Sequence, residues 1–259
     1  MTPKSGYART LLLASSAFAI LAGAPSLLAK EEPAGNPFAS PSTLPLQAPA
    51  FDKIKDSDYQ PAFDEAMRQQ RVEIDAIANN KAAPTFENTI VAMEKSGRML
   101  DRVSLAFFAL TSANTNDTLD KVQTVEAPKL AEHQDAIGLD PKLFARVKAV
   151  YGQRDKLKLD AESRKLLEVY YLQFVHAGAN LSDTDKTKLR ALNKENASLT
   201  TAFQQKLLAG AKAGALVVDN KADLAGLSDA EIAAMARAAE GRGLKGKFVI
   251  PLQNNIGAR

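Results

Sequence analysis

Cysteine is absent from all 259 residues, so disulfides, thiolate catalysis and cysteine-based zinc or iron–sulfur sites are excluded. Histidine is scarce: His133 and His176 are the only two, neither is followed by Glu, and neither has a second His at helical spacing. The serines offer no Gly-x-Ser-x-Gly elbow. Gly241-Arg242-Gly243-Leu244-Lys245-Gly246 has a glycine rhythm, but it follows a helical stretch instead of a strand and reads as a helix stop and turn. A surplus of one charge is also missing. Lys4 and Arg9 supply two of the formal +3, which leaves +1 from Lys30 onward with basic and acidic residues interleaved. A nucleic-acid partner is therefore excluded, since it would need a clustered basic face. Internal repeats are lacking, and apolar runs are short everywhere beyond the first 29 residues.

What is there begins with that leader. A positive start, an apolar core from Leu11 to Leu21 and small residues at Ala22, Gly23, Ala24 and Ala29 have the form of a secretory signal peptide over 1–29. Its core is shorter than the roughly 20 residues a span needs. The expectation is an exported chain, periplasmic in a Gram-negative cell, with no membrane attachment after the signal is removed. Prolines at 33, 37, 41, 45 and 49 then defeat helix and central strand over 30–50. Composition alone allows a polyproline-like tether as readily as a packed arm.

The remainder, with 46% hydrophobic and 24% charged residues, has globular composition. The fold class it predicts is mainly α, with antiparallel long-helix hairpins over 51–213 and a strand-helix-strand segment over 214–259. Asp58 opens a helix burying Phe63, Met67, Ile74 and Ile77, stopped by Asn79-Asn80. Pro84-Thr85 starts the next, where Thr85 and Asn88 form a loose capping box. Ile90, Met93, Gly97, Leu100, Ser104 and Phe107 draw one stripe down a helix to about Leu110. Asn114-Thr115-Asn116-Asp117 recaps the chain for a helix with Leu119, Val122, Leu130, His133 and Ile137 and a kink at Pro128. Asp140-Pro141 and Asp160 cap two further helices. Ser182 caps a run of about 30 residues with Leu189, Leu192, Leu199, Phe203 and Leu207 inward, lying against the Thr85 helix. Ala215–Val218 and Lys247–Leu252 read as strands around a helix capped by Ser228.

Several of these segments resemble the N-terminal region of bacterial peptidyl-dipeptidases, within the thimet-oligopeptidase and neurolysin-like family of zinc metallopeptidases. The residues are Asn36-Pro37-Phe38, Asp58-Tyr59-Gln60-Pro61-Ala62-Phe63, Asn79 through Gly97 around Thr85-Phe86-Glu87-Asn88-Thr89, Ala113–Asp117, Gly226-Leu227-Ser228 and Val249–Gln253. The resemblance implies an arm packed on the body, with Phe38, Leu44, Leu46 and Phe51 as anchors. It implies a wall of a deep channel admitting short peptides, and zinc bound in the intact relatives through a His-Glu-x-x-His helix plus a later Glu. That motif does not occur in these 259 residues.

Catalytic, cofactor-binding and metal-ligating residues are accordingly none in this chain, with no zinc of its own and no activity expected of it alone. His133 reads as a packed histidine, and His176 as a charge easing a helix C-terminus. Glu126, Glu132, Asp135 and Glu168 read as solvated. Phe107-Phe108 and Tyr170-Tyr171 read as core pairs with one ring at the rim, and they alone are candidates for the channel wall. The final Asn254–Arg259 departs from the Thr-rich continuation of the family, as a frameshift or early stop would produce. The partner expected is then a missing C-terminal catalytic half. An alternative is a stand-alone periplasmic helical module binding peptides or a protein partner without catalysis.

Overall fold

The computed structural model describes residues 35–252; the expected signal peptide and the last seven residues lie outside them. Helix α1 (Asp56–Ala78) is the longest-reaching member of the core. Its first half places Tyr59, Phe63 and Met67 in a cluster with Phe38, Val103, Phe107, Leu119 and Val122. Its second half places Ile74 and Ile77 in another cluster with Ile90, Leu143, Val147, Leu167 and Phe174. One helix thus belongs to both cores.

After α1, Thr85 caps a π-helical turn (Phe86–Val91) that runs into a short α2 (Ala92–Glu94). The capping box is present: the Asn88 amide donates to Thr85 Oγ1 at 3.1 Å and the Thr85 amide to Asn88 Oδ1 at 2.9 Å. The continuous helix expected from Thr85 to Leu110 is, however, broken. Gly97 adopts φ +74°, in the left-handed region where a side chain is disfavoured, and α3 (Arg98–Ala113) starts anew behind it. Its amide donates to Glu73 Oε2 at 2.7 Å, so α1 holds the break in place. Contacts from Glu73 with Gly97 to Phe63 with Phe107 run in opposite senses along the two helices, which makes α1 and α3 the antiparallel hairpin that the sequence predicts.

Asn116 caps α4 (Asp117–Gly138), which passes through Pro128 without ending. Asp140 caps α5 (Pro141–Gly152), and Asp160 caps α6 (Ala161–His176). Gly178 closes α6 at φ +95°, where a Cβ would lie 2.8 Å from Leu181 and 2.9 Å from Leu189 side-chain carbons.

Helix α7 (Asp183–Ala213) corrects two expectations. It lies antiparallel along α4, not against α3, since Asn193 meets Asp135 while Gln205 meets Asp120 and Thr124. Of the expected leucine stripe Leu189 is half-buried, whereas Leu192, Leu199, Phe203 and Leu207 stand 60–65% exposed; Lys186 and Thr201 are buried instead, with Asn193 and Gln205 partly so. The surface of α4 that α7 meets is polar. Asn193 donates to Asp135, Gln205 to the Asp120 carbonyl and the Thr124 hydroxyl, and Lys194 pairs with Glu132, so the amide and lysine side of α7 is the side that meets α4.

Beyond α7, β1 (Leu216–Val218) pairs antiparallel with β2 (Phe248–Ile250), Val217 opposite Val249. Between them Ser228 and Glu231 form a capping box for α8 (Asp229–Glu240), which packs on β2. The proline arm docks through Phe38, whose carbonyl accepts from Arg102 at 2.9 Å and whose ring lies 5.3 Å from Tyr59. Leu44, Leu46 and Phe51 do not anchor it. They are exposed, and Leu46 and Gln47 take left-handed backbone angles.

Candidate functional site

A cleft of about 630 Å³ opens where α1, α4, α6 and α7 meet. Ile74, Met93, Ile137, Phe174 and Leu189 give it an apolar floor, and Gln70, Asp135, Tyr170, Gln173, His176 and Asn193 supply polar groups. Tyr170 is fixed by donating its hydroxyl to Glu94 at 2.7 Å, and burial together with that carboxylate pushes its proton release up. Asp135 accepts from Asn193 at 2.7 Å through one oxygen, while the other is buried without a partner. Ser96 spends its hydroxyl proton on the Met93 carbonyl at 2.7 Å. Such a lining can bind and orient a small amphipathic ligand; it assembles no nucleophile with an activating base.

His133 does not reach this cleft. It is buried behind it, 2.7 Å from Gln70 Oε1, and burial plus the nearby Arg71 charge pushes its pKa down to about 4. His176 rims the cleft at the end of α6. The two imidazoles therefore belong to different environments. Among the described residues, no group of three His, Asp or Glu side chains is arranged to hold a metal ion, so the residues present do not fit a zinc site.

The reading of the acids needs correction for two of four. Glu126 is only 1% exposed and Asp135 9%, whereas Glu132 is exposed and pairs with Lys194, and Glu168 is half-exposed and pairs with Lys165. Glu126 survives burial because Lys129 bridges it, at 2.9 Å, to Asp64 at 2.7 Å. Desolvation still pushes its pKa up, against the pull of Lys129.

The aromatic pairs divide between core and rim. Phe107 is fully buried and Phe108 edges a second cleft between α3, α4 and α7. Tyr171 stacks on Tyr151 with centroids 3.9 Å apart, leaving Tyr170 to face the larger cleft.

Sequence reasoning missed Arg146. Though charged, it is 93% buried on α5 and donates to the carbonyls of Asn80 at 2.8 Å and Ala82 at 3.1 Å, and to Asn88 Oδ1 at 2.8 Å. It thereby clamps the loop that leads into the Thr85 cap. Its place on the buried face beside Leu143, Val147 and Val150 is the one signal that could have revealed it.

Fold and cleft define a mainly helical scaffold with an open, partly polar cleft. No protein-family model matches the chain. It is 52% identical over 219 residues to the dipeptidyl carboxypeptidase of Escherichia coli and 50% identical to that of Salmonella typhimurium, in each case over 85% of this chain and 32% of the relative. Oligopeptidase A of Haemophilus influenzae is 23% identical over 209 residues, covering 80% of this chain and 30% of that protein. Over 85% of its length the chain is thus similar to part of the dipeptidyl carboxypeptidases and, more distantly, to oligopeptidase A, a member of the thimet-oligopeptidase family. It spans about a third of the length of the curated relatives it matches.

Proposed function

We propose that the chain is the non-catalytic N-terminal portion of an exported zinc peptidase that removes C-terminal dipeptides from short peptides. Its work is to form one wall of the substrate channel and to restrict what enters. The observation that carries this is the identity of about half of all positions to dipeptidyl carboxypeptidases over 219 residues. Zinc, when bound by the whole enzyme, would supply the activated water. Its ligands must come from residues other than the described ones, which offer no fitting set. No helix among the described residues is long and apolar enough to cross a membrane.

Metal analysis and an activity assay on the pure chain test the proposal. The expected outcome is no stoichiometric zinc and no hydrolysis of an N-terminally blocked peptide reporter with a free C-terminal dipeptide; zinc-dependent turnover would defeat it. The cleft lined by Tyr170 and Asp135 favours a second reading, a stand-alone module that binds peptides without chemistry. Calorimetric titration with short peptides separates the two, since saturable micromolar binding by the isolated chain belongs to the second.

A further inference from the structure

Large apolar side chains scattered singly over a surface need no explanation, but a line of them on one helix does. Leu192, Leu199, Phe203 and Leu207 recur at seven, four and four residues, which sets them along one flank of α7 for about 22 Å at 1.5 Å per residue. Each is 60–65% exposed, on a helix whose other side is already hydrogen-bonded to α4. Nothing among the described residues covers this flank.

We infer that it is the seat of the polypeptide that full-length relatives carry beyond the part matched here. The inference rests on the function proposed above. Three observations select this occupant. The relatives are about three times as long as the matched stretch, so most of their mass has no counterpart among the described residues. The chain also leaves from beside the stripe: at Gly214, just past the end of α7, an added Cβ would lie 2.7 Å from Leu252 Cδ1, and Leu252 is the last described residue. A continuation starting there needs no long connection to lie back along α7. Finally, the two-stranded sheet at that end exposes Leu216 by 58%, and two strands alone seldom persist in water. The same continuation covers both.

The absence of cysteine makes the test clean. Leu199→Cys and Phe203→Cys are placed singly in the isolated chain and in a chimera whose remaining portion comes from the E. coli relative with any cysteines there replaced by serine. Maleimide labelling is then timed, with Lys81→Cys, on an exposed loop, as the reference. The expected result is labelling at positions 199 and 203 at least tenfold slower in the chimera, with position 81 unchanged. Equal rates in both proteins overturn the inference. So does protection already present in the isolated chain, whether a doubled mass by light scattering shows a second copy on the stripe or a monomer shows the chain's own leader there. Peptidase activity of the chimera is read separately. A protected stripe in an inactive chimera sinks the proposed function alone, and an active chimera with a freely labelled stripe sinks the docking alone.

Discussion

Replacing Arg146 with leucine removes three hydrogen bonds at once and leaves the Asn80 and Ala82 carbonyls to find other donors, while Asn88 Oδ1 keeps the Thr85 amide. Because these bonds are partly buried through Arg146, the expected loss is about 2–4 kcal/mol, read as a shift in the urea midpoint. Arg146→Lys should recover little of it, since an ammonium cannot span the three acceptors as a guanidinium fork does. His133 gives a second test. Its folded pKa, about 4, lies below the ordinary 6.5, so the unfolded chain takes up a proton that the folded chain refuses. Stability therefore falls as pH drops from about 6.5 to about 4, by roughly 1–2 kcal/mol once solvent screening is allowed for. Glu126 acts in the opposite sense, because its raised pKa favours the fold as pH falls through that raised value toward 4.5. Urea midpoints measured across this range should show a shallower acid loss in His133→Leu than in the parent. An unchanged slope would show that His133 is not its source.

Helix starts were legible because a cap is local chemistry. Asp140 with Pro141, Ser228 with Glu231 and Thr85 with Asn88 need only residues within a turn, and all three are formed. The break at Gly97 was not legible, since a glycine fits an apolar stripe as well as a left-handed corner and Glu73 decides between them from another helix. Gly97→Ala should cost about 1–2 kcal/mol in thermal or urea unfolding, chiefly from the positive φ, since the Gln70 side-chain amide that an added Cβ would meet can shift aside. The inward face of α7 was missed for a related reason. Periodicity finds the apolar stripe but cannot tell which neighbour claims it. Leu199→Glu combined with Phe203→Glu should accordingly change the stability of the isolated chain by no more than about 0.5 kcal/mol, where a buried stripe would lose several. Glu126 and Asp135 escaped notice similarly, because their partners Asp64 with Lys129 and Asn193 lie on other turns or helices.

At the scale of the molecule, α1 ties two apolar clusters into one cooperative body, so residues from Phe38 to Ala179 should melt together. The segment holding β1, α8 and β2 is joined more loosely, its packing being chiefly of α8 on β2 and strand on strand. Hydrogen exchange should find the amides of α8 opening well before those of α1, and equal protection in both would contradict that division.

Tyr151 and Tyr171 lie face to face, 3.9 Å apart and within 2° of parallel, in a protein with no tryptophan. Two such chromophores couple their electronic transitions, giving a near-ultraviolet circular dichroism band that vanishes when α5 and α6 separate. The protein thus carries a native optical gauge of its second core, free of any added dye.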